Sequence, residues 1–366
     1  MSLYICLIVF LLVTGIITEL SKKKFKSILF KINALLMGIM LIFRFGQGSD
    51  YFSYMYIYSV LGKSNSLNQA INYPIHSEKL WKAINYIFAK MGVSYEIFIL
   101  ILSIFLFASF IYTINKYVNN YKILSLILSF HSIYLVYYMS AIRQGLVLAI
   151  FFTVLLDLFM NKKYIAYIFG VTICSFIHTS ALALLIILII PKLNKKIIFY
   201  LFSGGILISS FVIFSNGLIN IINTVFLQFL ERLVMLAIIT YLYHKATSID
   251  RVTKNFYYIY MIGFILYLVL IGNHLLSARG TMYFKAIEIL IIPKLLTKNN
   301  VSIDRLIVYF GMCVMIFFLT AKNINAFLDE GNYYSKEIVN YHYVTIFNSD
   351  DIYKYRQIRY DIKDLY

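Results

Sequence analysis

Apolar runs about 20 residues long recur along this chain, and short basic clusters separate them. The run over residues 1–20 is followed by four lysines within residues 22–26. A helix needs about 20 apolar residues to cross the hydrocarbon core of a bilayer, so the pattern predicts an all-α polytopic integral membrane protein. Charged residues make up only 13% of the 366 residues, against about 25% in a soluble domain. The chain has too little polar surface for a soluble protein, and we expect one membrane domain over residues 1–366.

The positions of the basic clusters orient the predicted helices. Cytoplasmic loops carry an excess of Lys and Arg, so we place residues 22–26 on that side and the N-terminus on the periplasmic side. The remaining spans then predict about ten transmembrane helices and a periplasmic C-terminal tail over residues 322–366. Much of the formal net charge of +17 falls in cytoplasmic loops in this arrangement. The basic excess therefore reflects topology, and we expect no nucleic-acid partner.

Two segments depart from the pattern of simple spans. Residues 46–94 are too long and polar for a turn, and apolar residues recur at helical spacing between Leu80 and Phe88, which predicts an amphipathic helix on the periplasmic surface. Tyr164–Ile190 would be about 40 Å long as one straight helix, longer than the hydrocarbon core requires. A break near His178 would return the lysines that follow it to the cytoplasmic side. We therefore predict a broken or re-entrant helix pair in this stretch.

A few ionisable residues lie where the placement of cytoplasmic charge does not explain them. At the outer ends of predicted spans, or at a similar height, are Arg44, Asp50, Arg143, His178, His274 and Arg279. Ionisable groups at membrane depth are costly, so each of them is a candidate functional residue. Their convergence on one face of the membrane is more informative than any one of them alone.

Four further charged residues lie inside apolar spans, and we interpret them differently. They are Glu231, Arg232, Lys285 and Glu288. Positions 285 and 288 are three residues apart and can pair on one face of a helix. We therefore expect these residues to form structural ion pairs.

Each candidate on the outer face allows a structural and a functional interpretation. Asp50 opens an aromatic segment after two glycines, and it is either the N-cap of a helix or a general base facing a substrate hydroxyl. Arg143 and Arg279 either snorkel to the interface or bind a phosphate, which suits the geometry of Arg better than that of Lys. His178 is either a satisfied structural residue or a group that stabilises a leaving diphosphate.

Uncharged residues near these candidates also allow two interpretations. Gln144 either hydrogen-bonds sugar hydroxyls or faces another helix. The tyrosines of the 46–94 segment, Tyr54 among them, either pack in an interfacial belt or stack on sugars. The six histidines show no metal-ligand spacing, so we expect no metal. Without a nucleotide motif or a phosphate-binding glycine loop in the sequence, we also expect no cofactor, and the substrate must arrive already activated.

Several short motifs follow one another along the chain. In order they are Gly48-x-Asp50 with Tyr54, Arg143-Gln144, Phe176-x-His178 with Ser180-Ala181, Arg279-x-x-x-Tyr283-Phe284 with Ile292-Pro293, and Tyr343-Val-Thr-Ile-Phe347. Their order and spacing resemble the EpsG-like family of Wzy-type polysaccharide polymerases, which act in O-antigen and capsule biosynthesis. The resemblance extends over nearly the whole chain.

The resemblance implies a glycosyltransferase of the bacterial inner membrane whose active site faces the periplasm. Such an enzyme transfers a growing glycan from undecaprenyl diphosphate to a new lipid-linked repeat unit, so its partners are this lipid-linked oligosaccharide, membrane lipid and, as a further candidate, a chain-length regulator protein. The expected catalytic residues are Asp50, Arg143, His178 and Arg279. The expected substrate-binding residues are Arg44, Tyr54, Gln144 and Tyr283.

In this scheme two arginines neutralise the diphosphate while a carboxylate deprotonates the acceptor hydroxyl. Arg143 and Arg279 take the first role and Asp50 the second. A flippase or transporter of lipid-linked oligosaccharide is the alternative, but it would carry charges along a central pathway rather than on one face. A membrane acyltransferase that modifies the glycan is a further alternative, and it would need a catalytic His exposed to an acyl donor.

Overall fold

The structure is a computed structural model that describes residues 2–20, 22–193, 195–215, 218–298, 309–316 and 342–356. These residues are mostly helical, and no β-strand occurs among them, although an isolated antiparallel bridge joins Arg44 to Thr345. The all-α fold class is therefore confirmed for the described residues. Of the predicted tail 322–366, residues 342–356 are described, and the rest of the tail lies outside the described residues.

The helices follow one another along the chain with short connections. They are α1 (Leu3–Leu20), α2 (Lys23–Ile42), α3 (Tyr51–Gly62), α4 (Leu67–Ile71), α5 (Lys79–Lys90), α6 (Tyr95–Tyr117), α7 (Lys122–Ser129), α8 (Ile142–Ile150), α9 (Leu156–Met160), α10 (Tyr164–Ser175), α11 (Lys195–Ser215), α12 (Leu218–Lys245), α13 (Arg251–Leu270), α14 (His274–Lys285), α15 (Glu288–Thr297), α16 (309–316) and α17 (Ile352–Tyr355). Wider π-helical turns continue α7 over Phe130–Ser140 and join α8 to α9 over Phe151–Leu155. Thr179–Lys192 and Ser349–Asp351 are 3₁₀ helices.

Several of these helices are long and apolar enough to cross a membrane. Within the described residues there are four, namely Lys24–Ile42, Tyr95–Tyr117, Ile142–Met160 and Arg251–Leu270. A fifth is obtained if Lys122–Ser129 and Ser132–Ser140, which are bent by 55° relative to each other, form one span. These helices indicate a membrane protein. The count of about ten spans and the periplasmic position of both termini stay predictions.

The predicted amphipathic helix in the 46–94 loop is α5. Its Trp81 is fully buried, and the indole ring lies 5.6 Å from the ring of Tyr54 in α3 and 5.9 Å from the ring of Phe98 in α6. On another face of α5, Ile87 is 46% exposed. The helix therefore packs on α3 and α6 through its aromatic face.

The stretch Tyr164–Ile190 is interrupted near His178, where the sequence predicted a break. Helix α10 ends at Ser175, and a 3₁₀ helix begins at Thr179 after a short turn. The hydroxyl of Tyr167 in α10 donates to the carbonyl of Leu184 in the 3₁₀ helix at 2.7 Å. The two arms therefore fold back on each other as a hairpin, with residues 176–178 at its tip.

Helix α8 lies in the centre of the packed helices. The span that it begins, Ile142–Met160, is 67% buried, the largest share among the candidate spans of the described residues. A Cβ atom on Gly145 would lie only 2.5 Å from the carbonyl oxygen of Tyr137, so the absent side chain allows α8 to contact the preceding segment closely. This packing places Arg143, the second residue of α8, at one end of the helical core.

The glycine turn before α3 is held in a conformation that only glycine adopts easily. Gly48 has a φ of +101°, and a Cβ atom there would lie 2.5 Å from the carbonyl oxygen of Met139. Next to it, the backbone N–H of Ser49 donates to the hydroxyl of Ser140 at 3.1 Å. The turn is thereby fixed against the residues that lead into α8, which brings Asp50 towards the start of that helix.

Described residues of the C-terminal tail contact the same turn from another side. The N–H of Phe45 donates to the carbonyl of Val344 at 2.9 Å, and the N–H of Ile346 donates to the carbonyl of Phe43 at 3.0 Å. The guanidinium of Arg356 donates to the carbonyl of Gly46 at 2.7 Å. The tail therefore helps to hold the turn that precedes α3.

The charged residues inside the apolar helices pair differently from the expectation. Lys285 in α14 forms an ion pair with Glu231 in α12 rather than with Glu288. Glu288 instead accepts a hydrogen bond from the hydroxyl of Tyr260 in α13 at 2.9 Å. The expected pairing within one helix face was wrong, because α14 ends at Lys285 and α15 begins at Glu288, so the two residues do not lie on one continuous helix.

Candidate functional site

Asp50 immediately precedes α3, but within the described chain its carboxylate caps no backbone N–H of that helix. Its backbone, at φ −90° and ψ −4°, already has the helical conformation rather than the extended one typical of an N-cap. The carboxylate instead accepts a hydrogen bond from the hydroxyl of Tyr54, one helical turn further on, at 3.2 Å. Its side chain is partly exposed, so it remains open to a ligand.

Arg143 lies beside this pair. Its guanidinium carbon is 5.6 Å from the centre of the Tyr54 ring, and the charge of Asp50 acts on it electrostatically. Nη1 of Arg143 donates to Oε2 of Glu78 at 2.5 Å and to the hydroxyl of Ser77 at 3.2 Å. Nε is buried and has no hydrogen-bond partner among the described residues. The side chain is therefore held in place, yet part of its donor capacity is unused.

Glu78 joins three separate parts of the chain. One carboxylate oxygen accepts from Arg143 at the start of α8, and the other accepts from the backbone N–H of Thr179 at 3.1 Å. The carbonyl of Phe176 at the hairpin tip also accepts from the N–H of Leu80 at 2.9 Å, in the first turn of α5. Glu78 and the start of α5 therefore tie the 46–94 loop to both the central helix and the hairpin tip.

Ser180 is the shared hydrogen-bond partner of three candidate residues. Its backbone N–H donates to Nδ1 of His178 at 3.2 Å, so this nitrogen carries a lone pair and the imidazole is neutral with its proton on Nε2. The Ser180 hydroxyl then donates to the same nitrogen at 2.8 Å. It accepts from the hydroxyl of Tyr283 at 2.8 Å and from the amide of Gln144 at 3.3 Å. Side chains from α8, α14 and the hairpin thus meet at one point.

The two remaining arginines differ in their surroundings. Arg279 in α14 is exposed, and it makes no hydrogen bond or ion pair with any described residue, although its charge acts on His178. Arg44 is only 1% exposed, and its guanidinium donates to the hydroxyl of Ser103 at 2.6 Å and to the carbonyl of Tyr138 at 3.1 Å. Arg44 therefore joins helices in the core, while Arg279 remains available to a ligand.

The ionisation of two groups in the 46–94 loop follows from these contacts. Burial raises the pKa of Tyr54 well above its usual value, and the charge of Asp50 raises it further, so the phenol stays protonated. Burial disfavours the charged form of Glu78, but Arg143 and the N–H of Thr179 outweigh it and lower the pKa of this carboxyl below its usual value. At neutral pH the site therefore contains a carboxylate at Glu78 and a phenol that donates to Asp50.

Two adjacent polar groups, which meet at the neighbouring residues Thr179 and Ser180, contain six of the eight residues expected to be catalytic or substrate-binding: Asp50, Tyr54 and Arg143 in one, and Gln144, His178 and Tyr283 in the other. We call the two groups together the polar network. Arg279 lies near it, and Arg44 lies apart in the core. Reasoning from the sequence missed the roles of Glu78 and Ser180. One usable signal exists, because the 46–94 loop contains only two acidic residues, Asp50 and Glu78, and both belong to the network. Among the described residues there is no group of three or more His, Cys, Asp or Glu that could hold a metal ion.

Comparison with protein families finds a match over the part of the chain that contains this network. A family model described as "EpsG family" matches residues 27–343. The chain belongs to the EpsG family. The matched region includes all eight candidate residues, and EpsG membership indicates a polysaccharide-related membrane protein with a glycosyltransferase-like role. Comparison with curated proteins and with solved structures gives no match.

Proposed function

We propose that this EpsG-family protein is a Wzy-type polysaccharide polymerase of the bacterial inner membrane. It would transfer a growing glycan from undecaprenyl diphosphate to a new lipid-linked repeat unit at the periplasmic face. The observation that carries the proposal is the close placement of Asp50 and Arg143 at one end of the central helix. A partly exposed carboxylate beside an arginine is what acceptor activation and diphosphate binding require.

The donor diphosphate would be held by two arginines. Arg143 is already oriented by its ion pair with Glu78 and its hydrogen bond to Ser77, and its buried Nε still lacks a partner among the described residues. Arg279 is exposed on α14 and can approach the same anion. Preoriented donors stabilise the charge that develops on a leaving group without further reorganisation. This arrangement supports the assignment of the donor side to Arg143 and Arg279.

The acceptor hydroxyl would be deprotonated by Asp50. Its carboxylate accepts hydrogen bonds from the hydroxyl of Tyr54 at 3.2 Å and from the hydroxyl of Ser49 at 3.4 Å, which fix its direction and leave lone pairs free for a further donor. The proton of the acceptor hydroxyl passes to Asp50 as the acceptor oxygen bonds to the anomeric carbon of the growing glycan. The bond from that carbon to the diphosphate oxygen breaks, and the leaving undecaprenyl diphosphate retains the electron pair beside the two arginines.

The residues around Ser180 would bind the sugars and the diphosphate. Gln144 and Tyr283 are buried and reach Ser180 from different helices, so amide and hydroxyl groups converge near the two arginines. His178 is neutral and carries its proton on Nε2, which makes it a hydrogen-bond donor rather than a cation. We therefore propose that His178 assists the leaving diphosphate by donating a hydrogen bond.

A flippase of lipid-linked oligosaccharide is the second candidate function. Charged residues within apolar helices favour it, because a transport pathway needs polar groups at membrane depth. However, Lys285 is paired with Glu231, and Arg232 lies 4.2 Å above the ring of Tyr267. These partners give the charges a structural role, so we favour the polymerase.

The glycan profile of a deletion strain tests the proposal. Loss of a polymerase should collapse the polymer ladder to one repeat on the lipid core, with single lipid-linked repeats on the periplasmic leaflet. The wild-type chain should restore the ladder, and the variants R143A and R279A should not. The variant R251A, which removes an exposed arginine at the start of α13, should restore it and serves as the control.

Other outcomes would contradict the polymerase. Single repeats trapped on the cytoplasmic leaflet of the deletion strain would identify a flippase. A normal ladder that has lost acyl groups would identify an acyltransferase. Full polymer length and amount with both R143A and R279A would refute the assignment of the diphosphate to these arginines.

A further inference from the structure

A long apolar groove lies between α2 and α6, away from the polar network. Its volume is about 710 Å³. The α2 wall contains Phe30, Ala34 and Gly38 at four-residue spacing, and the α6 wall contains Ile104 and Ala108. From Lys26 to Ile42 the groove follows α2 for about 24 Å at 1.5 Å per residue. A groove of this length and apolar character suits an extended acyl chain.

One end of the groove is strongly basic. Lys26 and Lys31 from α2 and Lys122 from α7 line it, together with three asparagines at positions 115, 119 and 120, and no Asp or Glu occurs among the described lining residues. Lys122 donates to the Oδ1 of Asn115 at 2.6 Å. Lys26 and Lys31 form no ion pair or hydrogen bond with any described side chain. Three ammonium groups, with no carboxylate among the described residues that line the groove, form a complement to a phosphate.

We infer that this groove binds an anionic phospholipid, with its phosphate on Lys26, Lys31 and Lys122 and an acyl chain between α2 and α6. The positive-inside pattern alone accounts for lysines near a membrane surface. It does not account for their position at the mouth of an apolar groove that an acyl chain fits. The lysines and the apolar groove occur together at one place, and an anionic phospholipid matches both.

The position of the groove argues against the polyprenyl substrate as its occupant. The basic end lies at the N-terminal end of α2, whereas the C-terminal end of α2 leads to Arg44 and the turn that carries Asp50. A lipid that presents its diphosphate to Arg143 cannot place that diphosphate on Lys26 at the opposite end of the helix. The groove and the polar network therefore bind their phosphates at opposite ends of α2.

Native mass spectrometry of the full-length protein tests this inference. The protein is reconstituted in nanodiscs that contain equal amounts of phosphatidylglycerol and phosphatidylcholine, and the ratio of the two lipids retained on it is measured. The wild type should retain phosphatidylglycerol selectively. Each lysine near an anionic headgroup increases lipid binding roughly fivefold. The selectivity of the variant K26Q/K31Q for phosphatidylglycerol should therefore be about 25-fold lower than that of the wild type.

Two further variants separate the groove from general surface charge. K22Q/K24Q removes two exposed lysines from the same end of α2 that do not line the groove, and it should keep the selectivity of the wild type. A108W fills the groove from an exposed position on α6 and leaves every lysine in place. This variant should lose the bound lipid.

Three results would overturn the inference. Equal loss of selectivity in K22Q/K24Q and K26Q/K31Q would show that general surface charge attracts the lipid. Retention of phosphatidylglycerol at the wild-type level by both K26Q/K31Q and A108W would show that it binds elsewhere. A polyprenyl phosphate that copurifies with the wild type and is lost in A108W would identify a different occupant.

Discussion

Arg143 has two possible roles, since it both forms the ion pair with Glu78 and is proposed to bind the diphosphate. The variants E78Q, R143M and the double variant E78Q/R143M separate these roles. E78Q keeps the shape of the side chain and removes its charge, and R143M keeps much of the length and removes the guanidinium. The double variant removes the ion pair without leaving either charge unpaired.

The expected stability effects follow from the burial of the pair. The side chains of Arg143 and Glu78 are 17% and 16% exposed. Removal of one partner from a fully buried ion pair costs about 3–5 kcal/mol, and a hydrogen bond to a charged group contributes about 1.5–3 kcal/mol. With this partial exposure we expect R143M to lower the free energy of unfolding by about 2 kcal/mol, because Glu78 is left unpaired. The double variant should recover most of this loss.

Two assays read the stability and the activity separately. Thermal unfolding of the detergent-purified protein should give a melting temperature a few degrees lower for R143M and close to the wild type for E78Q/R143M. Polymer in complemented cells should fall by about 100-fold or more in both variants, as for the loss of one preoriented donor to a developing anion. E78Q alone should retain polymer, because Arg143 remains.

A recovery of polymer in the double variant would refute this reasoning. It would show that Arg143 acts only by holding Glu78 and the 46–94 loop, and that another group binds the diphosphate. The Lys116–Asp157 ion pair, whose side chains are each 32% exposed, provides a matched control. The double variant K116M/D157N should leave polymer length and amount unchanged.

Three further predictions concern the turn, the base and the loop contact. D50N should lower polymer by about 100-fold or more through loss of the general base, whereas Y54F, which removes only one hydrogen bond to it, should lower polymer by less than tenfold; equal effects in glycan profiles would contradict this. Gly48 and Gly92 both have positive φ, but a Cβ atom at Gly48 would lie 2.5 Å from a carbonyl oxygen, whereas no described atom lies within 4 Å of one at Gly92. The detergent-purified G48A variant should therefore unfold at a clearly lower temperature than the G92A variant. The pKa of Glu78 is lowered in the folded chain, so its ion pair stabilises the loop fully above the ordinary Glu pKa of about 4.3 and loses this effect as the pH falls through the folded value. Hydrogen-exchange protection of residues 176–180 in the wild type should therefore be similar at pH 7 and pH 5 and should decrease below pH 4. In E78Q the protection should not change over this pH range.

The sequence alone predicted the membrane class and several of the residues that the structure brings together. Hydropathy and charge are local properties, so runs of about 20 apolar residues identify helices without knowledge of how they pack. The break at His178 could be predicted for the same reason, because the length of an apolar stretch is set by local sequence. Asp50 and Arg143 were also recognisable as charges that the positive-inside pattern does not explain.

Which of these side chains touch one another depended on the tertiary structure. Arg44 and Arg143 look alike in sequence, yet Arg44 is enclosed in the core and Arg143 lies in the polar network. Glu78 is 65 residues from Arg143 and 101 residues from Thr179, and local sequence carries no information on contacts at such separations. The pairing of Lys285 with Glu288 was mispredicted for the same reason, since Lys285 pairs with Glu231 instead. The sequence determined which segments are helical and apolar, and the packing of those helices decided which polar groups meet, because a hydrogen bond requires atoms within about 3 Å.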